Sequence, residues 1–486
     1  MRLYHPLIDA WTPGNGAEII SVENPATEET GASVTCASRR DLEAAVERAR
    51  SGLEMWGRTP AGRRSATLRR AAALLESKVD AHACTLTQET GKPLAESRDE
   101  WSRAIETLRW SADACAETFR QRPQAAHMTR TFVEPQPIGV AALITPWNYP
   151  AVVASRKLGS ALAAGCSAII KGSEECPGPV VELVEALYDA GIPRNVVSLV
   201  FGAPAEISTF LLGENDVKIL SFTGSTQVGK ILAQRAAAGL KRCVLELGGH
   251  CPVVVCRDAD VDRAAVACAA YKFEHAGQSC NAPSRIYVHE DAYERFLRQF
   301  VRSAETLVLG NGFHPTTTMG PVSSRRRLAA IESLVEDAVG GGASVATGGH
   351  RVGNRGYFFA PTVLESVPPT ARMMREEPFG PIVSIDSFRE IDEAIALANG
   401  SPYGLASYVF STATATARLI ASRLRTGSVG INGLSGVAPC SAVGGIGDSG
   451  LGYEGGRLGI DAFLNLKLVN DATRVARSPW ENWLRA

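Results

Sequence analysis

Two stretches of this chain alternate short apolar runs with longer amphipathic ones. That alternation restricts the fold more than any other feature. Residues 138–145, 168–170, 196–200 and 217–222 are apolar runs of strand length, with helical stretches such as 180–190 between them. The pattern returns after Gly249: 251–256 is apolar, 260–271 helical, 285–289 strand-like and 292–306 helical, followed by 382–388, 391–398 and 406–410. Strands alternating with helices specify a doubly wound parallel sheet. The expected fold class is α/β, with two doubly wound lobes meeting near residues 246–249. Ahead of them, 39–56, 61–79 and 96–120 place apolar residues at helical spacing.

The bulk numbers narrow the class of partner. A chain of 486 residues suggests roughly three domains or two large ones. It is 45% hydrophobic and 21% charged, ordinary for a globular protein with sizeable cores. A net charge of −1 gives no electrostatic reason to expect nucleic acid or an anionic membrane. The eleven cysteines are scattered, with no C-x-x-C pair, so neither a metal site nor a disulfide framework is expected. The setting is read as reducing and cytoplasmic. The opening MRLYHPLIDAW lacks the apolar core of a signal peptide. The uncharged run 135–155 contains Pro135, Pro137, Pro146 and Pro150, and the uncharged run 426–447 is Gly-rich and reads as loop. No membrane span is expected.

Four stretches carry chemistry. FTGSTQVGKI, from Phe222, satisfies most of a triphosphate-binding loop with Gly224, Gly229 and Lys230. Ile231 then stands where a Mg²⁺-holding hydroxyl belongs. A Gly-rich turn before a helix still suits the phosphate of another cofactor. HAGQSCNAP sets Cys280 in a polar, Gly-containing stretch, where a thiol becomes a nucleophile if its pKa falls from about 8.5. LELGGHCP ends an apolar run at Glu246 beside paired glycines, suited to a general base. TPWNYP holds Asn148 between two prolines, suited to meeting an oxyanion. Each has a plain alternative: a buried structural cysteine, a capping glutamate, a turn asparagine.

TPWNYP, KGSEECP, FTGSTQVG, ELGGH, GQSC, EEPFGP, Asn399 with YGL, and DSGLG occur in that order along nearly the whole chain. Together they resemble the aldehyde dehydrogenase superfamily, NAD(P)-dependent enzymes that oxidise aldehydes to acids. The resemblance implies that Cys280 attacks the aldehyde to form a thiohemiacetal and, after hydride passes to the nicotinamide, a thioester. Asn148 and the Cys280 N–H hold the oxyanion, Glu246 activates the hydrolytic water, and Lys157 and Glu454 relay the proton outward. It assigns the cofactor to Trp147, Lys171, Glu174, Thr223, Gly224, Ser225, Gly229, Glu377 and Phe379. A carboxylate at Glu174 accepts from ribose hydroxyls and repels a 2′-phosphate, which favours NAD over NADP.

The same resemblance divides the chain. Residues 1–117 and 137–247 are expected to bind NAD, 248–450 to be catalytic, and 118–136 with 460–486 to form a strand-based oligomerisation element of a homodimer or homotetramer. His250, Gly447, Ala442, Val443 and Tyr453 depart from residues usual in the family and bear on the substrate mouth and interface contacts, not the chemistry. ASRKLGSALAAGC, from Ala154, is similar to the succinate-semialdehyde branch, so Arg156, with Tyr149 and Ser279, is expected on the substrate side. Glu274 stands where that branch has a second arginine, and could neutralise Arg156 instead. The substrate is then a carboxylated semialdehyde, or an aromatic or other polar aldehyde. The rivals are a P-loop NTPase, which Ile231 opposes, and a catalytically silent member of the fold, which would be expected to have lost Cys280, Glu246 or Asn148.

Overall fold

The computed structural model describes residues 2–8, 18–118, 122–124, 130–434 and 437–471. Five strands form a parallel sheet in the order Arg242–Glu246, Val217–Thr223, Val140–Ile144, Ser167–Lys171, Val197–Val200. Numbered along the chain, that order is 5-4-1-2-3. The direction of winding reverses between Val140–Ile144 and Val217–Thr223, and such a switch point opens a crevice at the carboxyl ends of the strands. The strands form because they are mostly apolar and covered on both faces: VAALI, SAIIK and VSLV are wholly buried. Helices cover them. The helix Arg39–Arg58 is started by a capping box of Ser38 and Asp41, and buries Leu42, Ala45, Val46, Ala49, Gly52 and Trp56 on one stripe. Gly52 is required there, since a Cβ would fall 2.0 Å from the Asn195 carbonyl oxygen.

The second sheet runs Ser344–Thr347, Thr362–Glu365, Ile382–Phe388, Pro283–His289, Cys251–Val255, Ala406–Phe410, Ser428–Ile431, parallel except for its first member. The last strand falls in the stretch expected to be loop. Gly430 permits it by closing against the Gly433 carbonyl and the Tyr408 ring. The two sheets meet across 247–250, where the chain passes from Glu246 to Cys251.

The chain then returns to the first lobe. Gly450–Leu451 pairs antiparallel with Arg242–Glu246, placing Gly450 opposite Glu246. Leu464–Asp471 pairs with Arg130–Pro137, which pairs with Arg122–Gln124, in a separate antiparallel sheet. Much of the expected oligomerisation element (119–121, 125–129 and 472–486) lies outside the described residues. Among those described, no helix is long and apolar enough to cross a membrane.

Candidate active site

The carboxyl ends of the first sheet deliver Trp147, Asn148, Thr223 and Glu246. The second lobe delivers Cys280, three residues before the strand Pro283–His289 begins. Two cavities of about 580 and 560 Å³ meet at this seam, and Cys280 and Thr223 line both. The turn that presents Cys280 is sharp. His275 and Ala276 take left-handed φ of 48° and 52°, and Gly277 takes 71°. A Cβ on Gly249 would fall 1.9 Å from the Cys280 carbonyl oxygen, so the paired glycines after Glu246 let the two loops touch. Strained backbone of this kind concentrates where function requires it.

Around the thiol the groups expected from sequence converge. The side-chain amide of Asn148 donates to the Gln278 carbonyl at 3.0 Å, which orients it beside the Cys280 loop and leaves its second N–H available. Glu246 is 7% exposed, and its Oε1 is buried without a partner among the described residues. Burial, with the Glu454 carboxylate adding, pushes its pKa well above the ordinary glutamate value, while Lys157 and Arg156 oppose. Lys157 donates to Glu454 and, at 2.9 Å, to Ser221, whose hydroxyl bonds Glu454 at 3.0 Å. Burial pulls the Lys157 ammonium below its usual range. It pushes the Cys280 thiol up, with Glu377, Cys251 and Glu246 adding and Arg156 opposing.

The larger cavity has the make-up a dinucleotide needs. Trp147 and Phe379 meet edge to face at 5.7 Å and offer ring surface. Ser225 caps the helix Thr226–Ala238, whose first residues line the wall with their unbonded N–H groups. Glu377 accepts from the Gly249 N–H at 2.9 Å. Phe379 is itself held at φ 44°. The residues present therefore fit a nicotinamide dinucleotide. Three expected ligands stand off this wall. Lys171 and Glu174 pair with each other at 2.6 Å beyond it, and Glu174 also accepts from the Gly202 N–H at 2.8 Å. Gly229 packs inside its helix, where a Cβ would meet Leu247 at 2.3 Å. Lys230 is drawn to Asp448 at 2.8 Å, so it is not a phosphate lysine.

The second cavity is lined by Tyr149, Arg156, Tyr271, Ser279 and Tyr408. Arg156 has no hydrogen bond or ion pair among the described residues. The alternative expectation, that Glu274 neutralises it, is corrected: Glu274 accepts from Tyr149 at 3.2 Å and pairs with Arg103 at 3.3 Å. The Ser279 hydroxyl is committed to Asn281 at 2.6 Å, and Asn281 bonds Tyr271 at 2.7 Å.

His250 lies at neither mouth nor interface. It is buried, bonded to Ser284 at 2.6 Å and the Met373 carbonyl at 2.8 Å, and burial beside Arg285 lowers its pKa to about 3. Among the described residues no cluster of three His, Cys, Asp or Glu could hold a metal ion. Lys92, Glu96, Glu100 and Arg103 lie in no motif of the sequence. Their only signal was two glutamates four apart on a helix, a spacing that solvent-facing pairs share.

Fold and cleft together define a two-lobed dinucleotide-fold protein with a thiol at the seam. The model of the aldehyde dehydrogenase family matches residues 11–469. The chain belongs to that family, and is an NAD(P)-dependent oxidoreductase. It is 40% identical over 461 residues to 4-(hydroxymethyl)benzenesulfonate dehydrogenase TsaD1 of Comamonas testosteroni, covering 95% of this chain and 96% of that protein. It is 39% identical over 463 residues to a glutarate-semialdehyde dehydrogenase of Pseudomonas putida, covering 94% and 95%. The crystal structure of an NAD-dependent aldehyde dehydrogenase from Sinorhizobium meliloti superposes with a TM-score of 0.95 at 32% identity, covering 99% of this chain and 97% of that one.

Proposed function

We propose that this protein oxidises an aldehyde bearing an anionic group, a carboxylate or sulfonate, to the corresponding acid through a covalent intermediate on Cys280. The single observation that carries the substrate class is Arg156, a guanidinium with no ion pair among the described residues, on the wall of the cavity that ends at the thiol. The relatives named for a benzenesulfonate and for glutarate semialdehyde support it.

Cys280 gives up its proton to solvent in the cleft as its sulfur attacks the aldehyde carbon, a C–S bond forms, and the carbonyl oxygen becomes an oxyanion. The free N–H of Asn148 and the Cys280 backbone N–H meet that charge. When bound in the larger cavity, a nicotinamide dinucleotide would supply the hydride acceptor, leaving a thioester on Cys280. Glu246 then takes a proton from water as it attacks the thioester carbon, and the C–S bond breaks to return the thiol. Ser221, Lys157 and Glu454 lie behind Glu246 to carry that proton outward. Trp147, Thr223, Gly224, Ser225, Glu377 and Phe379 hold the cofactor. The reading of NAD rests on Glu174, held by Lys171 and the Gly202 N–H: at the adenosine end of a cofactor extending past this cavity, its carboxylate would accept from ribose hydroxyls and disfavour a 2′-phosphate. All eleven cysteines are unpaired, which fits a cytoplasmic setting.

Rates on succinate semialdehyde and 4-formylbenzenesulfonate, against butanal and benzaldehyde, test the reading with NAD and NADP in turn. The anionic aldehydes should be preferred, with NAD. In Arg156→Leu the substrate anion is left unpaired, which costs about 3 kcal/mol, or roughly a hundredfold in kcat/KM. Neutral aldehydes should lose less, and only through the influence of Arg156 on Glu246 and Cys280. Because Glu274 is held by Arg103 and Tyr149, the variant strands no carboxylate and should melt near the native temperature. Equal losses on both substrate classes would remove Arg156 from recognition.

A further inference from the structure

We propose that Lys92, Glu96 and Glu100 are positioning residues that fix the Asn148 loop of one lobe against the Cys280 loop of the other. The inference rests on the reading of Cys280 as nucleophile and Asn148 as oxyanion donor. Lys92 Nζ donates to Glu100 Oε2 at 2.5 Å and to the Asn148 carbonyl at 2.9 Å. The two charged side chains are 1% and 0% exposed. A pair buried this deeply is poor evidence for stability, since desolvation offsets the attraction. Its bonds to other elements are what the geometry makes distinctive.

The second oxygen of Glu100 accepts from the Ala151 N–H at 2.9 Å and lies 3.4 Å from that of Val152. These belong to the first turn of the helix Pro150–Ala163, which has no side-chain cap of its own. Glu100 thus caps, from a different helix, the element that carries Arg156 and Lys157. One turn earlier on the same helix, Glu96 accepts from the His275 N–H at 3.0 Å. That N–H starts the left-handed bend leading to Cys280. Residues four apart lie on one face of a helix, so one face of Leu94–Thr118 reaches both loops. Between them the His275 ring sits 6.1 Å from Trp147 and 5.7 Å from Tyr149, and neither ring nitrogen has a hydrogen-bond partner among the described residues.

Lys92 is fixed in turn against the second lobe. Cβ atoms on Gly312 and Gly320 would lie 2.3 and 2.2 Å from the carbonyl oxygens of Lys92 and Gly91. A shift of Lys92 or Glu100 moves the Asn148 amide, whereas a shift of Glu96 moves the thiol.

Two readouts separate these. Alkylation of Cys280 by iodoacetamide needs the thiol in place but develops no oxyanion. The single-turnover rate of reduced-cofactor formation needs both. Lys92→Met should slow single turnover at least tenfold and leave alkylation within twofold of native. Glu96→Ala should lower both together. Because Lys92→Met strands a buried carboxylate, Lys92→Met/Glu100→Gln is measured beside it. That double variant carries no unpaired charge, keeps an acceptor for Ala151, and should show the same split. Single turnover within twofold of native in the double variant, or alkylation falling in step with it, overturns the proposal. If fully alkylated native enzyme still turns over, the nucleophile reading falls and the proposal with it.

Discussion

Burial keeps the Glu246 carboxyl protonated at pH values where an exposed glutamate is ionised, and Glu454 pushes the same way. A base held protonated gains activity as pH rises through its raised pKa. Steady-state turnover should therefore climb with pH above the ordinary carboxylate range. Glu246→Gln should abolish that climb and stall after one reduced cofactor per site, because the stalled step is the later one. Unchanged turnover in that variant would remove Glu246 as the base. The Cys280 thiol is also held up by its surroundings, so it is not ionised in advance and must lose its proton as it attacks. Cys280→Ala should show no turnover while binding NAD with near-native affinity by calorimetry. Near-normal turnover would end the assignment.

At the scale of elements, Glu89 joins three segments. It accepts from the Tyr4 hydroxyl at 2.7 Å and the Gly178 N–H at 2.9 Å, tying the helix Val79–Thr90 to the first strand and to the helix Gly178–Asp189. Burial raises its pKa from 4.5 to about 7. A carboxyl raised on folding favours the native state while protonated. That contribution is fully present below about pH 4.5 and is lost as pH rises to about 7. Glu89→Gln should remove the pH-dependent part, so between pH 5 and 8 the variant should gain up to about 3 kcal/mol relative to native. Parallel stability curves from urea melts across that range would contradict it.

This helix also shows where the sequence could not be read. Residues 61–79 look like one helix, yet the structure ends it at Glu76 and starts another at Val79. The second helix buries His82, Thr87, Glu89 and Thr90 beside Ala83 and Leu86, so polar side chains crowd its inward face and mask the apolar spacing of Val79, Ala83 and Leu86. The apolar strands were legible because both their faces are covered. That Cys280, Glu246 and Asn148 would meet at one cleft was legible because each sits in a short motif with glycine or proline close by. Lys92 and Glu100 were not, since burial of a charge leaves no mark on composition. The Arg103 partner of Glu274 lies 171 positions away, a pairing that only the fold reveals.

At the scale of the whole molecule, the described residues leave a sheet edge uncovered. Leu464–Asp471 pairs on one side only among the described residues, and exposes Leu466 and Leu468 at 62% and 59%. An uncovered edge with apolar side chains invites pairing with another copy. Sedimentation should show a homodimer or homotetramer at micromolar concentration, and Leu466→Lys/Leu468→Lys should shift it toward monomer; a native monomer would count against the interface. The central claim concerns both lobes together: the cleft they form oxidises an aldehyde while it is covalently held on Cys280. Intact-mass spectrometry of Glu246→Gln, mixed with NAD and succinate semialdehyde and quenched in acid, tests it most directly. One succinyl adduct per chain is expected, located by digestion on the peptide containing Cys280, with one NADH formed for each adduct. NADH formed without any adduct, or an adduct that persists in Cys280→Ala/Glu246→Gln, would contradict it.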